Sequence, residues 1–367
     1  MDAHDDDPML RRAPVVPLKN LTRGNVSVAR VLDAWYVAAA SKDLGAEPLA
    51  VRIHDIPMAL FRGEGGRVGA VLDRCPHRNV PLSTGRVVQG TLECGYHGWR
   101  FGTDGACRCV PGRVADTDAR ARRTPAFATR EQDGFIWVWT QPDADPSEEP
   151  YRFAMLGRPG YDHVRQTVTA EGTLHAAAEN ALDVPHTAFL HRGLFRDESR
   201  GITLTAVVRR SGDRVEAEYL GEPRPPGIVA RLLSPSGGTV THFDRFVLPC
   251  VAEVEYRIGT ENHLLVATAL TPVSDFVTQM HAVVSFKLRV PHAAVKAALK
   301  PLAMRIFQQD AVMLRAQTDT VRRFGGEQFV STEIDVLGRH IWRLLRGAAR
   351  GEPRSTAVVE EHVQLVV

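Results

Sequence analysis

Cys75-Pro-His77 and, after sixteen intervening residues, Cys94-Gly-Tyr-His97 decide how this chain is read. Each stretch pairs one thiol with one imidazole, as C-x-H and C-x2-H. Two thiolates and two neutral imidazoles form the ligand set of a [2Fe–2S] centre in which histidines replace cysteines on one iron and raise its potential. Zn2+ accepts the same side chains, but structural zinc sites usually open with two cysteines a few residues apart. A single residue between Cys75 and His77 fits that pattern poorly. Both stretches are rich in Pro or Gly, so two turning loops can clamp one centre from either side.

The neighbouring residues extend the pattern. Arg78 follows the first histidine, Pro81-Leu82-Ser83 comes next, and Gly98-Trp99 follows the second. The whole resembles the "CPHR…PLS.G…C.YHGW.F" signature of the Rieske oxygenases. Respiratory Rieske proteins carry two further cysteines that form a disulfide across the cluster loops. This chain has Val80 and Tyr96 in those neighbourhoods, as the soluble oxygenase type does. Cys107, Cys109 and Cys250 read as ordinary thiols, and five cysteines in 367 residues point to a reducing compartment.

The length allows two domains, and 44% apolar residues suffice for two packed cores. A net charge of +2 with the signs interspersed creates no field for nucleic acid or anionic lipid. The N-terminus, Met1-Asp-Ala-His-Asp-Asp-Asp-Pro, is acidic and lacks the apolar core of a signal peptide. No apolar run is long enough to span a bilayer. The expectation is a soluble cytoplasmic protein with a disordered tail over 1–30.

From Trp35 to Gln141 the signals are short strands and turns, with strand-like runs at Val51–Arg62, Arg67–Asp73 and Phe135–Trp139. Gly63-Glu-Gly-Gly66 reads as a hairpin connection. A compact all-β domain over 31–145 follows, and the composition of Asp143–Pro150 marks a linker. Beyond it, Thr173–Leu182 reads as a helix. Strand candidates come next at Ile202–Arg209, Val215–Leu220, Val240–Ile258 and Leu264–Leu288. Ala293–Phe324 is an amphipathic helix containing Pro301. The fold class is therefore α+β: an all-β Rieske [2Fe–2S] domain, then a domain over 146–367 with an antiparallel sheet flanked by helices in a helix-grip-like arrangement. Gly221–Gly238, rich in Pro and Gly, reads as a surface loop or a lid.

A second cluster of metal-ligating residues lies in Glu179-Asn180-Ala-Leu-Asp183-Val-Pro-His186-Thr-Ala-Phe-Leu-His191. His186 and His191 are near enough to share one ion if the chain bends at Pro185. Alone, that spacing is weak evidence. The run also resembles the N-x-x-D-x-x-H-x4-H motif of the Rieske oxygenase catalytic domain, whose non-haem Fe(II) needs two histidines and a carboxylate with positions left open. Asp310 resembles the family's late aspartate, with Asp319 and Asp335 as rivals. By the same resemblance, Asp183 bridges His186 of its own subunit and the cluster histidine, here His97, of a neighbouring one. Asn180 stands near the iron.

The opening Asp33-Ala-Trp35-Tyr36-Val-Ala38 is similar to vanillate- and dicamba-type O-demethylases. The resemblance implies a homotrimer and a Rieske cluster feeding a mononuclear Fe(II). It also implies monooxygenation or oxidative demethylation of an apolar aromatic or polycyclic substrate. No GxGxxG follows a strand, so the nicotinamide chemistry belongs to an external NAD(P)H-dependent reductase, with or without a ferredoxin. Two alternatives stand beside this reading: a Rieske electron carrier without chemistry of its own, and a zinc-stabilised binding module.

Overall fold

A computed structural model describes residues 26–113, 122–191, 203–222, 240–259, 262–288 and 292–366. The first third is built of three small antiparallel sheets. One joins β1 (Trp35–Ala40), β10 (Thr129–Gln132) and β11 (Phe135–Trp139). A second holds β2 (Leu49–Ile53), β3 (Ile56–Arg62), β4 (Val68–Leu72) and β9 (Ala126–Phe127). The third holds β5 (Arg86–Val88), β6 (Thr91–Glu93), β7 (Arg100–Phe101) and β8 (Cys107–Cys109). The single strand expected at Val51–Arg62 is a hairpin. His54 and Asp55, at φ 51° and 66°, form a two-residue turn between Ile53 and Ile56. The expected connection at 63–66 is present, with Gly65 and Gly66 left-handed.

The second part is dominated by one eight-stranded antiparallel sheet. Its strands are β12 (Asp162–Ala170), β13 (Thr203–Ser211), β14 (Arg214–Leu220), β15 (Val240–Val247), β16 (Val251–Ile258), β17 (Asn262–Ser274), β18 (Val277–Lys287) and β19 (Val359–Val366). They lie in the order β12-β18-β17-β16-β15-β14-β13-β19, so most neighbours in the chain are neighbours in space. The long runs expected at Val240–Ile258 and Leu264–Leu288 each fold back once. One turns at Leu248-Pro249-Cys250 and the other at Asp275-Phe276.

Among the described residues, four helices flank this sheet: α1 (Leu174–Ala181), α2 (His186–Leu190), α3 (His292–Phe324) and α4 (Gly338–Ala349). Thr173 caps α1, its Oγ1 accepting from Ala176 N at 3.0 Å. α3 continues through Pro301 and packs against β12. Its Val295 and Leu299 close an apolar cluster with Val164, Leu264, Val284 and Phe286 of the sheet.

The two cores expected from composition are three clusters, and the largest is common to both parts of the chain. Trp35, Trp137 and Phe153 pack in it with Leu270, Met280 and Leu314. The junction is also bonded: Asp55 N donates to Val273 O at 3.0 Å and Thr271 Oγ1 to Val37 O at 2.7 Å. Within Asp143–Pro150, which holds neither helix nor strand, Glu148 O accepts from Trp35 Nε1 at 2.8 Å. The tail up to residue 25 and all of the Gly221–Gly238 loop beyond Glu222 lie outside the described residues, as does Ile202.

Candidate metal centres

Cys75 and Cys94 open two matching turns. Cys75 O accepts from Asn79 N at 2.9 Å, and Cys94 O from Gly98 N at 3.0 Å. Asn79 and Gly98, each four residues after its cysteine, are both left-handed (φ 61° and 67°). These residue types tolerate that conformation, and it folds each loop back to face the other. Asp73 pins the first loop, accepting from Ser83 N at 2.7 Å and Ser83 Oγ at 2.6 Å.

Both thiols are buried in a small core of their own with Phe61, Leu82, Leu92 and Phe101. Burial, and then the neighbouring Cys94, push the Cys75 thiol above its usual range. His77 and His97 approach with ring centroids 4.6 Å apart, and His77 stacks flat on Trp99 at 4.7 Å. Desolvation, His97 and Arg78 keep the His77 imidazole below its usual range. His77 Nδ1 is buried without a hydrogen-bond partner.

Paired thiols, paired imidazoles and an orphaned ring nitrogen fit a two-iron cluster with cysteines on one iron and histidines on the other. Among the described residues, the group of three metal-ligating side chains that converges within 4.8 Å is a different one. The quartet is therefore not arranged around a single zinc-sized ion. Cys107 and Cys109 sit on β8, and Cys250 lies buried in the large core with its thiol pushed up to about 12 by burial.

The group that does converge is His186, His191 and Asp310. α1 ends at Ala181, the chain bends through 182–185, and α2 carries His186 at its first position and His191 at its end. Asp310 projects from α3. His191 Nε2 lies 3.1 Å and His186 Nε2 3.7 Å from Asp310 Oδ1. His191 is 2% exposed and Asp310 7%.

Each histidine has an acceptor behind it. His191 Nδ1 contacts Gln309 Oε1 at 2.9 Å, and His186 Nδ1 contacts the backbone carbonyl of Asp183 with Asp183 Oδ2 at 3.5 Å. Such partners fix the tautomer and turn Nε2 toward the common point. His186 Nε2 and Asp310 Oδ1 are buried and lack a hydrogen bond of good geometry. Burial works against charge on His186, but Asp183 and Asp310 outweigh it and raise its pKa to about 9. Burial likewise opposes charge on Asp310, yet the two histidines hold its carboxyl below the usual range. Two imidazoles and one carboxylate with unsatisfied atoms facing inward fit a non-haem iron.

Of the rival carboxylates, Asp319 is exposed, and Asp335 accepts from Thr332 N at 2.6 Å in a turn. Asp183 does not cap α2, whose N-cap is Pro185. Its side chain is 34% exposed. Asn180 and His186 stand between two cavities. One, of about 390 Å³, is bordered by Glu179, Asp183, Tyr219, Met313 and Gln317. The other, of about 180 Å³, is bordered by His186, His191 and Asp310.

Leu264, Val266 and Thr268 of β17 line the smaller cavity. Val240–Phe246 does not line it. β15 stands one strand further along the sheet than β16, whose Val254 and Tyr256 do. α3 adds Leu299, Ile306 and Phe307. Gln309, behind His191, and Trp99, stacked on His77, have places at the two centres that the sequence alone did not assign, although each adjoins a residue already singled out.

A model of the Rieske [2Fe-2S] domain matches residues 34–127, and one of the vanillate O-demethylase oxygenase C-terminal domain matches 171–351. The oxygenase component of dicamba O-demethylase from Stenotrophomonas maltophilia is 37% identical over 168 residues, covering 44% of this chain and 48% of that protein. The matched segment thus spans about half the length of that relative. The oxygenase component of chloroacetanilide N-alkylformylase from Rhizorhabdus wittichii is 28% identical over 351 residues, covering 89% and 98%. Among solved structures, dicamba monooxygenase bound to 3,6-dichlorosalicylic acid superposes with a TM-score of 0.75 at 24% identity, over 88% of this chain and 98% of that one, and so shares the fold. With a Rieske domain, a vanillate O-demethylase-type C-terminal domain and ligand sets for a [2Fe–2S] cluster and a non-haem iron, the chain belongs to the Rieske non-haem iron oxygenases.

Proposed function

We propose that this chain is a terminal oxygenase component, with 31–145 as the cluster domain and 146–367 as the catalytic domain. In this reading Cys75, His77, Cys94 and His97 hold the cluster, and His186, His191 and Asp310 hold Fe(II). When bound there, the cluster would supply single electrons and the ferrous ion would supply the O2 activation needed to oxidise a substrate C–H bond. Asp183 orients His186 through its Nδ1 side. Gln309 does the same for His191, and Asn180 offers a polar group at the cavity wall. The apolar side chains around the 180 Å³ cavity exclude water from the reacting carbon.

The observation that carries this reading is the convergence of His186, His191 and Asp310 on an apolar cavity, in a chain that also bears the cluster quartet. An electron carrier has no use for that convergence. Monooxygenation or oxidative demethylation is the favoured outcome, in keeping with the dicamba and vanillate O-demethylases among the relatives.

We further infer a homotrimer in which one subunit's cluster tip meets its neighbour's Asp183. The exposed His97, the 62% exposed Tyr96 and the part-exposed Asp183 support that contact. Electrons come from an external reductase, with or without a ferredoxin, in the cytoplasm. No described helix is long and apolar enough to cross a membrane.

Turnover under 18O2 with a surrogate reductase and ferredoxin, on a panel of methoxylated and polycyclic aromatics, tests the proposal. One heavy oxygen in the product, or formaldehyde with a demethylated product, is expected. A cluster that cycles with no oxygenated product would leave only the electron carrier.

A further inference from the structure

The smaller cavity is long for its volume. On α3 it is bordered by Leu299, Leu302, Ile306 and Asp310, at spacings of three or four along one helix face. With a rise of about 1.5 Å per residue, that face runs about 16 Å from Leu299 to Asp310. On the sheet side Leu264, Val266 and Thr268 alternate along β17, and their cross-strand partners Tyr256, Val254 and Ala252 on β16 border the cavity as well. These three rows cover about 13 Å of strand.

The rows run parallel to the helix face. Leu264, Val284 and Leu299 belong to one apolar cluster, and Tyr256 and Leu302 pack against it. Ala252 belongs instead to the large core, against which Ala181 and Phe307 pack. The Tyr256–Leu264 row therefore lies at the Leu299 end of α3, and the Ala252–Thr268 row at the Phe307 end, less than one turn before Asp310. His186 and His191 meet Asp310 at that second end, so the metal ligands stand at one tip of the cavity. On the sheet, the small Ala252 and Thr268 are nearest them and the larger Leu264 and Tyr256 furthest away. An apolar cavity of about 150 Å³ holds benzene. This one has little more volume, about 180 Å³, drawn out over more than a ring's length.

We propose that this cavity is a slot that takes an elongated apolar substrate lengthwise, one end group toward His186, His191 and Asp310 and the remainder along α3, with Leu299 and Leu302 setting the length it accepts. The inference rests on reading this cavity as the substrate site. A substituent that lengthens the molecule extends toward Leu302 and gains apolar contact, about fourfold in affinity for each buried methylene. A substituent beside the end group widens the molecule instead. It meets the packed walls of α3 and β17, where even one extra methylene forces side chains off their rotamers. The carbon presented to the metal ligands is then a terminal methoxy or methyl carbon in preference to a ring carbon.

Anaerobic titration calorimetry on iron-loaded protein with anisole, 4-butylanisole and its isomer 2-butylanisole tests the slot. 4-Butylanisole should bind at least about tenfold more tightly than 2-butylanisole, which has the same atoms in a wider shape. Leu302→Phe should weaken 4-butylanisole about tenfold and leave anisole unchanged, while Leu302→Ala should tighten 4-hexylanisole about threefold or more. If Leu302→Phe does not fold, as judged by the cluster absorption, Leu302→Ala decides. Proton relaxation of 4-butylanisole, in protein with and without ferrous iron, reads the orientation. Iron should broaden one terminal methyl most, with the effect falling along the molecule. Equal binding of the two isomers, no binding of 4-butylanisole up to its solubility, or an anisole loss in Leu302→Phe as large as that of 4-butylanisole would overturn the proposal. So would no gain for 4-hexylanisole in Leu302→Ala, or broadening greatest at mid-molecule. Binding is read without turnover, and iron analysis of the same samples reports separately on the oxygenase reading.

Discussion

His191 Nε2 lies 3.1 Å from Asp310 Oδ1, although six strands of the large sheet separate these residues along the chain. Closing so long a loop onto one point is entropically costly. The sheet does it by stacking β13–β18 as consecutive antiparallel neighbours, so that α3 returns across the face on which α1 and α2 lie. The site is a product of the fold as a whole, and its ligands can be tested one by one.

Replacing Asp310 by Ala removes the carboxylate and leaves two imidazoles. Iron should fall from about three to about two per chain while inorganic sulfide stays at about two, since the cluster is held elsewhere. Metal and sulfide analysis with the visible cluster spectrum reads this. Loss of the cluster together with the third iron would contradict the separation of the two centres.

Gln309→Ala takes away the acceptor 2.9 Å from His191 Nδ1 without touching a ligand. Outer partners of this kind are worth about 10- to 100-fold in metal affinity. Competition with a chelator should show weaker iron retention of that size, and Gln309→Glu should restore most of it.

Asp183→Asn should keep both metal centres and lower turnover by about tenfold or more, because the residue orients His186 and faces outward. Iron and sulfide content beside steady-state rates distinguish the outcomes. Wild-type turnover in this variant would remove Asp183 from the electron route.

Glu255 provides a pH test of the scaffold. It is 4% exposed and accepts from Arg257 Nε at 2.6 Å, from His263 Nε2 at 2.9 Å and from Arg245. Burial opposes its charge, but His263, Arg245 and Arg257 lower its pKa from 4.5 to about 2. A folded-state pKa below the unfolded one stabilises the protein above pH 4.5, and that contribution is lost as pH falls toward 2. Glu255→Gln should therefore cost on the order of 2 kcal/mol at neutral pH. The gap to wild type should close as denaturation is repeated at falling pH; a constant gap would mean that charge is not the cause.

Much of this site is legible in the amino-acid sequence. Cys75, His77, Cys94 and His97 are local pairs, and the loops that join them carry Asn79 and Gly98 where left-handed backbone is needed. His186 and His191 are separated by one short helix that follows the bend at 182–185. Asp310 is legible only through family resemblance, because no local pattern links it to histidines that lie six strands earlier in the chain. The smaller cavity is legible only in parts. Spacing marks Leu299, Leu302, Ile306 and Asp310 as one helix face and alternation marks Leu264, Val266 and Thr268 as one strand face, but nothing in the sequence says that both border one cavity. The division of Val51–Arg62 is hidden because hydrophobic content runs through the turn, where His54 is itself buried.

The most direct test mixes prereduced, iron-loaded protein with O2 and the substrate found in the 18O2 screen, following cluster absorbance and product in one turnover. Wild type is expected to reoxidise its cluster and form oxygenated product in proportion, whereas Asp310→Ala forms none and its cluster stays reduced on that timescale. Cluster reoxidation in both proteins at the same rate, with no oxygenated product in either, would contradict the oxygenase assignment and leave a Rieske electron carrier.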